Sequence, residues 1–358
     1  MTLARLEISC LRNLRQVSLE PGPLVNLFHG LNGSGKTSLL EAVHLLGLGR
    51  SFRTTKARRL VQDGETDATV FGRTLAGHGL GVRKSVSGES VARLNGATAP
   101  GLAALAVHLP LQLFDPLSLD IMDGPSQPRR QLLDWGVFHV EPSFHGIWSR
   151  AQRALQQRNS LLKAAKISPM ELQIWEQEFA ETALPLHQAR AAFVESWLPW
   201  LAAALTRLLP DIPLAVDYQP GWNTQESLAD LLAQSRGRDM ERGFTQVGPH
   251  RADLRIRTQG VAVDERLSRG QLKLVVCALK LSMVQRLMQD GMRPLLLLDD
   301  LASELDVLSR RKVCDWIAEL QVQTLMTCIE ASQLKDLWSG TSLRLFHVEH
   351  GCVRPSSD

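Results

Sequence analysis

The stretch "GLNGSGKTS", residues 30–38, decides how the rest of the chain is read. It lies between the apolar "PLVNLF" (23–28) and "LLEAVHLL" (39–46). The first predicts a buried strand ending near Phe28. The second predicts a helix over 37–46, through the spacing of Leu39, Leu40, Val43 and Leu46, with Gly47 and Gly49 expected to end it. Between the two, Gly30, Gly33, Gly35, Lys36 and Thr37 fit G-x-x-x-x-G-K-[ST] in the strand–loop–helix setting that the motif requires, with Leu31, Asn32 and Ser34 inside the loop and Ser38 just after it. A loop that wraps a phosphate must point its N–H groups inward at close range, and a Cβ would obstruct that approach. The helix N-terminus adds a favourable dipole. Lys36 is expected to neutralise the β and γ phosphates of ATP, and the Thr37 hydroxyl to ligate Mg²⁺.

A loop of this kind is common to kinases, GTPases, motors and ABC-type ATPases, so a second acidic element is needed to choose among them. "PLLLLDD" (294–300) reads as a buried parallel strand delivering two carboxylates to its C-terminal end, where such sheets bind ligands. Asp299 is expected in the Mg²⁺ shell, and Asp300 is expected to orient or deprotonate the attacking water. "RLSRGQLKLVVCALKLS" (266–282) places Ser268, Gly270 and Gln271 at the start of a predicted helix. In isolation this end is either an ordinary N-cap or a second anion-binding device. The carboxylate strand follows one helix later, and "SELD" (303–306), ending in Asp306, comes just after it. That order is the order of an ABC-type ATPase head.

The 358 residues are 44% hydrophobic and 22% charged, with a net charge of +3, so any basic surface must be local. The odd, scattered cysteines Cys10, Cys277, Cys314, Cys328 and Cys352 form no CxxC pair, which argues against a disulfide framework or a zinc site and fits a reducing compartment. The N-terminus lacks the charged start and apolar core of a secretory signal, and the most apolar stretch, 101–114, is too short to span a bilayer and carries His108 and Pro110. A cytoplasmic protein without a membrane partner is expected.

Short strand-like pieces over 51–114 are broken by "DGE", "GHG", "SGES" and "NGA", the texture of hairpins. Helical patterns fill 129–165 and 170–209, with interruptions expected near Pro142, Pro169, Pro185 and Pro199 and helices of roughly 20 residues, about 30 Å long. Strands and helices alternate again towards the C-terminus. The expected fold is α/β: an ABC-type P-loop ATPase head with a mixed sheet, residues 1–115 and 245–358, split by a helical lobe over 116–244.

Nearly the whole chain resembles the RecF family, the ABC-type, SMC-like ATPases of bacterial recombinational repair. The resemblance is carried by "LRNLRQ", "GLNGSGKTSLLEAV", "GRSFRT" (49–54), "QPRRQLLDWGVFHVEP" (127–142), "VGPHRADL" (247–254), "LSRGQ" and "LLLLDDLASELD". It implies an ATP-bound homodimer in which the P-loop of one subunit and the signature Ser268 with Gly270 of the other sandwich the nucleotide, with Asp306 at the interface. It aligns Thr327 with the switch position that is a histidine in many ABC proteins, and Asp300 with a glutamate usual in transporter ATPases, which implies slow turnover. Gln112 is either a Q-loop glutamine or a polar strand residue.

The resemblance also implies binding to double-stranded and gapped DNA, and recombinase loading with RecR and RecO. Arg50, Arg53, Lys56, Arg58 and Arg59 in "GRSFRTTKARR", and the smaller cluster of Arg129 and Arg130, are candidates for phosphate contacts or solvated loops. No base-reading helix module is visible. His250 and Arg251 in "GPHR" lack a nearby nucleophile or second histidine, so a structural role beside a strand turn is expected. The leading expectation is an ATP-dependent DNA-binding protein with weak ATPase activity. Its rival is a P-loop ATPase subunit acting on a small-molecule or membrane partner.

Overall fold

A computed structural model describes residues 2–164, 168–338 and 340–356. The contacts divide it into two compact units, Met1–Ser118 with Leu287–Asp358, and Leu119–Arg286.

In the first unit the apolar segments at both ends of the chain come together in one sheet. Its order is Cys352–Ser356, Leu343–Glu349, Val25–His29, Thr324–Cys328, Leu295–Leu298, Leu111–Phe114, all parallel except the first strand. The strand before the P-loop and the strand ending at the two aspartates are thus separated only by Thr324–Cys328, and all three run the same way. Their C-terminal ends share one edge of the sheet, which puts Gly30, Asp299, Asp300 and Thr327 at the same side. Leu295–Leu298 is completely buried, as a central strand covered on both faces must be.

A second, antiparallel sheet of six strands begins with the hairpin Leu3–Leu11 and Leu14–Leu19 and continues through Asp67–Thr74, Gly79–Ser85, Ser90–Leu94 and Ala97–Thr98. The hairpin texture predicted for this region is present, and the "NG" turn takes the left-handed conformation at Asn95 and Gly96 that such a two-residue loop requires. The helix Lys36–Leu48 is buried along almost its whole length, in one core with Leu6, Ile8 and Val70 of the antiparallel sheet and Leu295, Leu297 and Leu325 of the parallel one. Gly49 ends it in the left-handed conformation, whereas Gly47 lies inside it, where a Cβ would stand 2.2 Å from Leu111 Cδ2.

The second unit holds the helices Ser126–Val140, Phe144–Leu162, Pro169–Leu208 and Leu228–Arg242, most of Arg269–Gln289, and a small antiparallel sheet of Val261–Ala262, Asp253–Thr258 and Leu214–Gln219. It runs further along the sequence than the 116–244 lobe expected from composition, because Asp253–Thr258 pairs with Leu214–Gln219. The expected interruptions at Pro185 and Pro199 do not occur: Pro169–Leu208 is one helix of 40 residues, about 60 Å long. Both prolines are exposed, and so are Glu181 and Glu195, four residues before them. The carbonyls that lose their N–H partner therefore face water, while Phe179, Leu186, Phe193, Val194, Trp197 and Leu201 keep the opposite stripe buried.

Candidate functional site

The loop 30–35 is left-handed or strained at each of its glycines. Gly30 has φ 153°, and a Cβ there would meet Val348 O at 2.2 Å; Gly35 has φ 120°, with Leu14 Cδ2 at 2.9 Å from the same construction. Gly33, at φ 79°, has open space on that side, so its requirement is conformational alone. Lys36 folds back over the loop, its Nζ donating to Gly30 O at 2.7 Å and Leu31 O at 2.9 Å. Burial lowers its pKa, and Asp300, Cys328 and Asp299 act in the other direction. An ammonium already stripped of part of its water and placed beside open backbone amides is arranged for an anion.

Asp299 ends the buried strand at the same edge. Its Oδ1 accepts from the Thr37 hydroxyl at 3.0 Å and the Thr327 hydroxyl at 2.8 Å. Thr327 Oγ1 in turn accepts the Asp300 N–H at 2.9 Å. One threonine therefore holds the side chain of the first acid and the backbone of the second. Burial raises the Asp299 pKa; the bonds from Thr327 and Thr37 oppose this, and the neighbouring carboxylates Asp300 and Asp115 add to it. Asp300 sits at φ 53°, and its Oδ1 is buried without a hydrogen-bond partner among the described residues.

This geometry suits a divalent cation held only partly by protein. No group of three or more His, Cys, Asp or Glu side chains among the described residues could hold a metal by itself. Mg²⁺ keeps several waters and takes one or two protein ligands plus phosphate oxygens. The Thr37 hydroxyl and the Asp299 carboxylate, 3.0 Å apart, match that demand.

The P-loop and both acids line a cleft of about 1020 Å³ together with Arg12, Asn13, Arg53, Lys56, Arg58, Arg59 and Thr327. Four of the five cations in "GRSFRTTKARR" thus share a wall with the phosphate loop, a placement that the sequence alone did not indicate. Arg50 does not line the cleft; its carbonyl accepts from His44 Nδ1 at 2.6 Å. Asn13 was also invisible in the sequence: it donates to Gly33 O and accepts from Ser38 Oγ, both at 3.1 Å, clamping the loop to the first hairpin. Gln112 lies buried on the edge strand of the parallel sheet, away from the cleft lining.

Asp306 caps the helix Val307–Leu320 by accepting from Leu308 N and Ser309 N, both at 3.0 Å, and those bonds from Ser309 hold its carboxyl below the usual range. The two residues after it, Val307 and Leu308, are exposed. In the second unit, Ser268 and Gln271 form a reciprocal capping box: Gln271 N donates to Ser268 Oγ at 3.3 Å, and Ser268 N to Gln271 Oε1 at 2.9 Å. Ser268 and Gly270 are exposed at that helix start.

Arg129 and Arg130, candidates for DNA contacts, are committed to the fold. Arg129 pairs with Asp253 through Nε at 2.7 Å and also donates to Ile121 O and Gly124 O; Arg130 donates to Ser126 Oγ and Ala252 O, both at 2.6 Å. His250 sits in the turn Pro249–Arg251, bonded through Nε2 to Thr245 O at 2.9 Å, and burial takes its pKa down to about 4. Its ring is neutral at pH 7 and ties the turn to Thr245. No helix among the described residues is long and apolar enough to cross a membrane.

The chain is similar to known proteins over nearly its full length. The family described as RecF/RecN/SMC N terminal domain matches residues 2–354. The DNA replication and repair protein RecF of Pseudomonas aeruginosa (strain LESB58) is 42% identical over 361 residues, covering 99% of this chain and 97% of the relative. The RecF of Azotobacter vinelandii is 41% identical over 363 residues, covering 100% of both. Among solved structures, one described as the recombination mediator protein RecF-ATP in the RecFOR pathway superposes with a TM-score of 0.87 at 28% identity, covering 99% of this chain and 98% of that one. The Smc head domain of Pyrococcus furiosus, solved with part of ScpA, shares the fold at a TM-score of 0.59 and 15% identity, covering 99% of this chain and 96% of that one. The chain belongs to the RecF family of DNA replication and repair proteins, and its fold is that of the ABC-type ATPase head shared with SMC proteins.

Proposed function

We propose that the chain is an ATP-gated DNA-binding switch of recombinational repair and replication restart. ATP closes two copies on duplex or gapped DNA, and slow hydrolysis releases them. The observation that carries the reading is the cleft in which the P-loop, the acid pair Asp299–Asp300 and four cations of one basic segment meet.

In this reading the backbone amides around Gly33, Ser34 and Gly35 and the Lys36 ammonium bind the triphosphate. Thr37 and Asp299 would hold Mg²⁺, which would supply charge neutralisation of the triphosphate. Asp300, with its unpartnered buried oxygen, orients the attacking water or accepts its proton. Thr327 keeps both acids in register, since its hydroxyl donates to the Asp299 carboxylate and accepts the backbone N–H of Asp300 through the same oxygen. A shorter aspartate in place of a glutamate places the water less firmly, which agrees with a slow switch rather than a fast enzyme.

Two features support closure by a second copy. The apolar residues Leu31, in the phosphate loop, and Val307 and Leu308, beside Asp306, are exposed, with Leu31 at 77% and Leu308 at 75%. The helix N-terminus that carries the Ser268–Gln271 capping box is also exposed, at Ser268 and Gly270, where an anion presented from outside can approach. In the closed form Ser268, Gly270, Gln271 and Asp306 contact the nucleotide held by the opposite P-loop. Arg50, Arg53, Lys56, Arg58 and Arg59 are the remaining candidates for contacts to the DNA backbone. RecR and RecO are the partners through which the DNA-bound dimer promotes recombinase loading, and the cytoplasmic nucleoid is where it works.

Retention on gapped duplex DNA tests the reading. With ATP the parent protein stays bound; with ADP, or as Lys36→Arg, it dissociates. Equal retention in all three conditions contradicts an ATP-gated clamp.

A further inference from the structure

The helix after the P-loop carries a carboxylate where its neighbours are apolar. Glu41 lies between Leu40 and Ala42, and its side chain is 0% exposed. Its carboxylate accepts from Arg12 twice, from Nε and from Nη2, each at 2.9 Å. Arg53 Nη1 stands 3.7 Å from Oε2, the oxygen that accepts from Arg12 Nε, and the Ser51 hydroxyl donates to Oε1. Ser51 Oγ then accepts from the backbone of Arg53 at 2.9 Å and Thr54 at 3.0 Å, so the turn that carries Arg53 is folded around a hydroxyl bonded to Glu41. One turn further along the same helix face, His44 takes the Arg50 carbonyl and packs edge-on against Phe52.

Glu41 itself does not line the cleft, but Arg12 and Arg53 both do. A guanidinium has five N–H donors, and the pair with Glu41 occupies two of them on Arg12, leaving the rest for a ligand. A buried ion pair is weak support for stability, since apolar residues of similar volume commonly serve the fold as well. Geometric control over the two cleft cations accounts for a carboxylate at this position.

We propose that Glu41 is a positioning residue: it fixes Arg12 directly, and Arg53 through the Ser51 turn, as cations on the wall of the nucleotide cleft, where they favour the more highly charged triphosphate over the diphosphate. The proposal rests on the nucleotide reading given above. It makes a prediction opposite in sign to simple electrostatics. Removing a negative charge next to a polyanion site strengthens binding by Coulomb's law. Removing the anchor of two cations weakens it, and weakens ATP binding more than ADP binding.

The test is calorimetric binding of ATP and ADP, with Mg²⁺, to the full-length protein and to Glu41→Gln, Arg12→Ala and the double variant. The expected result is a fall of about tenfold in ATP affinity for Glu41→Gln, a smaller fall for ADP, and a loss in the double variant smaller than the sum of the two single losses. Unchanged or tighter ATP binding by Glu41→Gln overturns the proposal, as does an equal loss for the two nucleotides with additive effects of Glu41 and Arg12. If Glu41→Gln does not fold, Ser51→Ala serves instead, because it releases the Arg53 turn while leaving the Glu41–Arg12 pair in place. Loss of ATP preference in Ser51→Ala supports the positioning role, and an unchanged preference overturns it. Lys36→Ala separates the two levels of argument: normal ATP affinity in that variant defeats the nucleotide reading itself, whereas its loss together with an unaffected Glu41→Gln defeats only the role given to Glu41.

Discussion

Thr327 is the residue on which the acid pair depends. It donates to Asp299 Oδ1 and accepts the Asp300 N–H through one oxygen. Thr327→Val keeps the shape and removes both bonds, leaving a part-buried N–H unsatisfied at a cost of about 1–3 kcal/mol. The expected outcome is ATP hydrolysis slowed by about tenfold and a higher Mg²⁺ concentration for half-maximal activity, read in a steady-state assay against metal concentration. At this scale the sequence was most legible where chemistry is local. The P-loop glycines and the two aspartates carry their reasons in a few adjacent positions. Arg12, Asn13 and Glu41 do not, because each acts on a residue far along the chain. The signal for Glu41 was nevertheless present, as a charged residue inside an otherwise apolar run.

Among the elements, the long helix Pro169–Leu208 shows how a local rule yields to tertiary packing. An interior proline costs about 3 kcal/mol in a helix interior, which is why interruptions were expected at Pro185 and Pro199. Both fall on the solvent side of a continuous buried stripe, so the freed carbonyls are hydrated and the helix continues. The stripe's periodicity was the better guide.

The same helix contributes Glu176 to a buried network in which Arg158, fully buried, reaches Glu176 Oε1 at 3.0 Å, Asp239 Oδ2 at 2.8 Å and Thr245 Oγ1 at 2.7 Å. Arg158→Ala leaves buried Asp239 without its cation, while Glu176 keeps Arg236 at 2.6 Å, and is expected to destabilise the protein by about 3–5 kcal/mol in chemical denaturation.

His139, near the end of the helix Ser126–Val140, gives a pH dependence. Burial among rings that include Trp135 and Phe138 takes its pKa down to about 4. The unfolded chain therefore binds a proton near pH 6.5 that the folded state refuses until about pH 4. Stability from this group is complete above the unfolded pKa and falls as the pH drops through that window, by about 2 kcal/mol at pH 5. Replacing it by His139→Gln should flatten the stability profile between pH 7 and 5 relative to the parent.

For the whole molecule, the parallel sheet joins strands from both ends of the sequence, so the phosphate loop and the acid pair meet only after the chain returns. That return was legible, since strands alternating with helices recur on either side of a helix-rich stretch. The place of the basic segment was not: "GRSFRTTKARR" reads as a solvated or DNA-facing loop, and only the fold puts Arg53, Lys56, Arg58 and Arg59 on the wall of the nucleotide cleft. The extent of the second unit was also hidden, because antiparallel pairing between Leu214–Gln219 and Asp253–Thr258 leaves no mark in composition.

In the proposed switch, ATP is shared between two copies of the chain. Sedimentation of Asp300→Asn, chosen to slow hydrolysis, tests it most directly. At saturating ATP and Mg²⁺ the variant should sediment as a species of twice the 39.7 kDa chain mass, returning to a single chain with ADP. A single-chain mass with ATP bound contradicts it.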